Sequence, residues 1–386
     1  MERTGTLQTE EPLINAHISH GNQGGHLMQW ASRFQARPFS INTISSEMNS
    51  EDKCISKDII SALEQTYNTD INEVLEYNVE SSTSLNDTNI AIKKKYDFYT
   101  SICERIWRCN DQKSSLFLQD KLKNKCDGDF EVLISIVDEQ AEALMIHRFG
   151  NFLVQRRLEV SNEEDVSQFA KRFCGRIATL SKNQFCCHVI QKLLDMSPLF
   201  IQAKIMAEML DNSVETMTSP FGTHVWQKLF YLEWPPNLPP IVTIVNNAIH
   251  INNKEGWTSV LLSEPGCATI KSYLGIAVTG SERQDCIEAI LGNITRVIEL
   301  YNGFALVSKV ILGTSTRGRA ITKLCENISD LATHPVASSN LILLLNMKIP
   351  SFPSRLVSAI TPYSRMLADD TYGEQLLKVL GIKPSP

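Results

Sequence analysis

Four segments of the chain carry one short pattern at a constant interval, and that interval limits the fold more than any other feature. "SSLFLQDKLK" places Gln119, "GNFLVQRRLE" Gln155, "CCHVIQKLLD" Gln191 and "GTHVWQKLFY" Gln227, so these glutamines stand 36 residues apart three times in succession. Each segment has the apolar spacing of a buried helix. In the second, Phe149, Leu153, Val154 and Leu158 fall three to four apart, while Asn151, Phe152 and Gln155 lie on another face. A unit of two or three short helices cannot cover its own apolar faces, but stacked copies can, so the period predicts a helical solenoid.

Weaker copies continue the series. "GCATIKSYLG" puts Lys271 in the glutamine slot, "GFALVSKVIL" Ser308, "SSNLILLLNM" Leu343 and "GEQLLKVLG" Lys378, at steps of 44, 37, 35 and 35. The long step contains "LEWPPNLPP" (232–240), a proline-rich stretch that no helix can cross, so an exposed loop insertion is expected near 232–255. The expected architecture is an all-α superhelical solenoid of about eight ~36-residue units, occupying residues 89–386.

Before it, residues 1–88 are rich in Ser, Thr, Asn, Gln and Glu, as in "SINTISSEMNSED", and read as a mostly disordered tail. Within it, "SKDIISALEQTYNTDINEVLEY" spaces Ile59, Ile60 and Leu63, then Ile71, Val74 and Leu75, as two short amphipathic helices. These are either transient helices or a docking motif. The net charge of -6 is unevenly spread. Residues 1–90 hold 13 acidic and 5 basic side chains, the remainder 30 and 32, so the repeat region is near neutral and charge neither demands nor excludes RNA.

No run of about 18 apolar residues suggests a membrane span, and the first thirty residues lack the basic start and apolar stretch of a secretory signal. The ten cysteines form no C-x-x-C pair or zinc-like Cys/His spacing. Reduced thiols, a cytoplasmic location and no cofactor are the resulting expectations. Neither paired carboxylates nor a glycine-rich phosphate loop points to an enzyme.

The 36-residue period and its G-x-aromatic-x-x-Gln-type helix resemble the Pumilio (PUF) family of RNA-binding proteins over roughly residues 95–381. The resemblance implies a crescent whose concave face is lined by the second helix of each unit. On that helix, the first and fifth residues of a five-residue window meet one base edge and the second stacks on bases. Residues four apart share a helix face, about 6 Å along the axis, which suits two contacts to one splayed base. Gln supplies both a donor and an acceptor. Carried over, the first unit offers Ser115, Leu116 and Gln119, the second Asn151, Phe152 and Gln155, the third Cys187, His188 and Gln191, and the fourth Thr223, His224 and Gln227. Asn with Gln implies a uracil reader and Ser or Cys with Gln an adenine reader; Thr223 replaces the usual Asn. Antiparallel binding then implies 5′-U-A-U-A-3′ across units four to one.

The later units depart from that pattern. Unit five has Cys267, Ala268 and Lys271, unit six Phe304, Ala305 and Ser308, and unit eight Glu374, Gln375 and Lys378. Unit seven keeps Ser339 and Asn340, the start of the family's guanine reader, but has Leu343 where its Glu belongs. Lys271 and Lys378 are expected to touch phosphate instead. Divergent fungal members show a similar mixture of kept and eroded repeats. The resemblance implies single-stranded RNA as partner, U/A-rich and in mRNA 3′ untranslated regions, with decay or translation factors recruited for post-transcriptional regulation. The other reading is a helical-repeat scaffold for proteins in which RNA contact is vestigial.

Overall fold

The computed structural model describes residues 85–124, 129–235, 239–252, 254–277 and 280–383. All of them lie in one compact unit, Cys54–Pro386. The tail expectations, including the helices at 59–75, fall outside the described residues.

Every regular element among the described residues is helical. From residue 130 onward a three-helix motif recurs: a long helix, a short one and a third that carries the repeated pattern. In unit two these are Phe130–Glu139, Ala141–Met145 and Gly150–Val160; in unit three Glu163–Lys171, Ile177–Ser181 and Cys186–Met196; in unit four Leu199–Asp211, Ser213–Met217 and Gly222–Phe230. Unit five uses Ile241–Asn252, Thr258–Leu261 and Glu264–Ile276, and unit six Ser281–Gly292, Ile294–Val297 and Gly303–Leu312. Unit seven uses Arg317–Glu326, Ile328–Thr333 and Pro335–Asn346. In unit eight a 3-10 turn, Thr361–Tyr363, joins Phe352–Ile360 to Ser364–Ala368 before Thr371–Leu380. Unit one has the long helix Leu85–Arg108 followed directly by Gln112–Lys123.

The third helices pack side by side from unit one to unit six, and again between seven and eight. One hydrophobic core runs through the stack from Tyr99 to Leu377. It uses the residues the period singled out: Leu153, Val154 and Leu158 are fully buried, as are Val189, Ile190 and Leu194 at the same places one unit later. Trp226 is also fully buried, and its indole N–H donates to Thr216 Oγ1 at 2.9 Å.

A recurrent cap sets where each third helix begins. A polar side chain accepts the backbone N–H three residues on, satisfying a donor that the first turn leaves unpaired. Asp111 does so for Ser114, His147 for Gly150, Asn183 for Cys186 and Ser219 for Gly222. Ser263 serves Gly266, His334 serves Ala337 and Asp370 serves Gly373. Unit six is capped from its neighbour, where the Glu264 carboxylate accepts from the N–H groups of Tyr301 and Asn302. The residue after the capped turn sits hard against the preceding short helix. A Cβ on Gly303 would lie 1.7 Å from the Val297 carbonyl oxygen, and one on Gly266 1.8 Å from that of Val260, so only glycine permits so tight a turn there.

The expected insertion is narrower than 232–255. Helix Ile241–Asn252 begins directly after Pro239 and Pro240, because proline before a first turn costs the helix no hydrogen bond. Its Ile244, Val245, Ala248 and Ile249 face the core. Of the residues before it, Tyr231 is 69% exposed, while Leu232 and Trp234 lean on the core.

Candidate nucleic-acid interface

On the third helices of units one to five, the expected first position is buried and the fifth is half-buried or exposed, so the five-residue window straddles the edge of the core. Unit two shows the arrangement most fully. Asn151 is 1% exposed, and its Nδ2 donates to the carbonyls of His147 and Arg148, both at 3.0 Å. Its Oδ1 accepts from Gln155 Nε2 at 3.0 Å. Asn151 therefore stands behind Gln155 and orients it, while the half-buried Gln155 and the 54% exposed Phe152 reach solvent. Unit one repeats this with other atoms: Gln119 Nε2 donates to Ser115 Oγ at 2.9 Å, and Ser115 donates to the Phe149 carbonyl of the next unit at 2.8 Å. Leu116, at the stacking place, is 56% exposed.

Unit three has the surface residues without the support. Cys187 is fully buried, with its thiol directed to the Gln184 carbonyl at 3.6 Å. It gives Gln191 no acceptor, and Gln191 Nε2 is buried with no partner. In unit four Thr223 is 4% exposed, and its hydroxyl lies among the carbonyls of Ser219 and Pro265 and the Thr269 hydroxyl. What units three and four present outward is His188, Gln191, His224 and Gln227. The two imidazole rings face each other at 6.4 Å between centroids and 26° between planes.

The expectation of base contact by Cys187 and Cys267 is corrected by burial. Cys267 is fully buried, its thiol 3.2 Å from the Leu261 carbonyl oxygen, and desolvation pushes its pKa up to about 12. Neither sulfur reaches the surface. Lys271 is exposed. Lys378 pairs with Glu374 one turn away at 2.8 Å, so the charge expected there for phosphate is already met.

Unit seven is shifted by one residue from the sequence reading. Its cap, His334, stands four before Ser338, as Asp111 stands four before Ser115. Ser338 donates to the Tyr372 carbonyl at 3.2 Å, the bond that Ser115 makes to Phe149. The window is therefore Ser338, Ser339 and Ile342. Asn340 points inward, 5% exposed, and donates to the carbonyls of Ile298 and Leu300 in unit six. The resemblance to a guanine reader at Ser339, Asn340 and Leu343 does not survive this register. The signal that would have revealed it in the sequence is the polar cap four residues upstream of each window.

Charge along the third helices is organised in a column just after the glutamines. Arg156 pairs with Glu159 at 2.5 Å, Glu159 also pairs with Lys192 of the next unit at 2.9 Å, and Asp195 pairs with Lys228 of the unit after. Arg156, Lys192 and Lys228 are thus all paired, the two lysines across unit boundaries. Just beneath, Arg157 is 3% exposed and grips Asp138 through two bonds of 2.6 Å. Among the described residues no group of His, Cys, Asp and Glu could hold a metal ion, and no helix is long and apolar enough to cross a membrane.

The sequence profile of the Pumilio-family RNA binding repeat matches residues 140–171, 176–210 and 212–231. Among curated proteins the chain is 32% identical over 196 residues to "Meiotic coiled-coil protein 2" of Schizosaccharomyces pombe, covering 51% of this chain and 27% of that protein. It is 29% identical over 202 residues to "Meiotic PUF family protein 1" of the same organism, covering 52% and 34%. The chain thus spans about a quarter to a third of the length of these relatives. A solved structure of PUF-8 in complex with PBE-RNA superposes with a TM-score of 0.57 at 20% identity, over 77% of this chain and 86% of that one. The Puf3 RNA binding domain, bound to a Cox17 RNA 3′ UTR recognition sequence, gives 0.55 at 18% identity over 83% and 90%. At such identities the likeness is one of fold, an all-helical solenoid. Repeat profile, curated relatives and fold agree with the glutamine period: the chain carries Pumilio-family RNA binding repeats within residues 140–231 and is similar to Pumilio-family proteins in sequence and fold.

Proposed function

We propose that this chain binds single-stranded RNA selectively, with units one to four reading a short U/A-rich element. The observation that carries this reading is the recurrence, on one face of four successive helices, of a half-buried glutamine beside an exposed apolar or aromatic residue. A splayed base needs a flat surface to stack on and an amide to meet its edge, and stacking contributes roughly 1–3 kcal/mol per base. The spacing of His188 and His224, 6.4 Å between centroids, is close to two stacking steps of about 3.4 Å, so one base fits between them. In units one and two, Ser115 and Asn151 hold the glutamine in place before RNA arrives, which lowers the ordering cost of binding.

The element is short, and four bases recur too often to choose a transcript. Binding in mRNA 3′ untranslated regions and recruitment of decay or translation factors in the cytoplasm complete the proposal; they rest on the family and on the RNA-bound solenoids of like fold. Selection from a random RNA pool tests it. Enrichment of U/A-rich sequences, lost in a Gln119→Ala/Gln155→Ala/Gln191→Ala variant that still folds, is the expected result. A pool that stays random, or a variant that selects the same sequences, rules it out.

A further inference from the structure

The neutralising column of units two to four stops at unit five. There the place of Arg156, Lys192 and Lys228 is taken by Ser272, and in unit six by Lys309. The carboxylate that should answer Lys309, at the place of Glu159 and Asp195 one unit back, is Gly275. Lys309 Nζ instead donates to the Leu274 carbonyl at 3.1 Å, at the end of helix Glu264–Ile276. Arg283, on the next helix, donates through Nη1 to the same Leu274 oxygen at 3.2 Å and to the Ala277 carbonyl at 2.8 Å. Two cations thus share one carbonyl acceptor. Lys271, one turn before Leu274 on the same helix, adds a third and is exposed.

No ion pair is recorded for Lys271, Arg283 or Lys309 among the described residues. The carboxylates nearest in sequence are committed elsewhere: Glu282 accepts from Thr243, Asp285 accepts from Asn246 and faces His250, and Glu288 pairs with Arg319. The Lys309 ammonium is held below its usual range by burial first, then by the charges of Arg283 and Lys271. Carbonyls at a helix end attract cations, but two carbonyl dipoles do not balance three full charges. Such a cluster is left for a mobile anion.

We propose that Lys271, Arg283 and Lys309 form a phosphate-binding site for the RNA backbone at the junction of units five and six. It rests on the reading of units one to four as an RNA-binding face, and it divides the labour: neutralised units read bases, unneutralised units hold the strand. Contacts to phosphate add affinity and register but no sequence information, and they make binding salt-dependent.

The test measures affinity for a U-A-U-A-containing RNA with a 3′ and 5′ extension of several nucleotides, across a series of salt concentrations. Variants are Lys271→Gln and Lys271→Gln/Lys309→Gln; Lys271 is exposed and bonds to no side chain among the described residues, so the single variant keeps its fold. Each lost phosphate contact should flatten the slope of log affinity against log salt by about 0.7 on a single strand, so the double variant should lose about 1.4. The penalty for replacing the U-A-U-A bases should stay unchanged. A slope equal to wild type in the double variant overturns the site while leaving base reading intact. Wild-type protein that does not bind the extended RNA overturns the proposed function, and the site with it.

Discussion

Gln155 donates through Nε2 to Oδ1 of Asn151 at 3.0 Å, while both N–H bonds of Asn151 are spent on backbone carbonyls. The two amides therefore do different work. Gln155→Ala should remove base discrimination at one position, about 1–3 kcal/mol for a lost bidentate contact, and leave the melting temperature unchanged. Asn151→Ala should cost stability as well, about 1–3 kcal/mol, because the carbonyls of His147 and Arg148 lose the side-chain N–H donors they share. Parallel melting curves and binding isotherms separate the two; equal losses in both would mean that Asn151 is not the supporting member.

Gln191 is the member of the series without support, since Cys187 cannot accept its amide proton. Cys187→Ser supplies an oxygen of the kind Ser115 offers Gln119. The variant should gain about 1 kcal/mol, the usual worth of a new hydrogen bond, seen as a raised denaturation midpoint with an unchanged slope. A lower midpoint would show that the buried thiol is worth more than the missing bond.

The shifted register of unit seven makes opposite predictions for neighbouring residues. Asn340→Leu should destabilise by about 1–3 kcal/mol, because the carbonyls of Ile298 and Leu300 lose the side-chain N–H donors that tie unit seven to unit six. Leu343 is 47% exposed, so Leu343→Glu should fall within about 0.5 kcal/mol of wild type and leave RNA preference as it was. Ile342→Gln, four after Ser338, recreates the Ser115–Gln119 pair and should add preference at one further base in a pool selection.

Arg157 is desolvated beneath the interface, and the Asp138 carboxylate compensates its charge. Removing one partner of such a pair leaves the other uncompensated, so Asp138→Ala should cost about 3–5 kcal/mol. Chemical denaturation reads this directly; a loss below 1 kcal/mol would mean that Ser161 and the Asp165 carbonyl already satisfy the guanidinium.

Glu159 neutralises Arg156 and Lys192 together. Glu159→Gln should therefore tighten RNA binding at low salt and steepen its salt dependence, with a stability cost of no more than about 1 kcal/mol for these half-exposed pairs. Unchanged salt dependence would place the strand away from this column.

The period of the glutamines and the apolar spacing around them were enough to determine a solenoid and the outward residues of units one to four. Stacked copies must repeat the same buried positions, and a constant interval makes that visible in one dimension. Tertiary structure decided the rest. Asn151 and Cys187 occupy like places in the pattern, yet both are buried, and only the packing of adjacent units shows that one orients a glutamine and the other cannot. The unit seven window moved by one residue because helix phase is set where the His334 cap and the Asn340 bonds to unit six anchor it, not by the nearest match to a motif. Arg283 and Lys309 lie 26 residues apart along the chain and meet at the Leu274 carbonyl, one turn after Lys271, because a helix end and the following unit converge there. Spacing records which residues share a helix face; it does not record which charges from different helices are left without a partner.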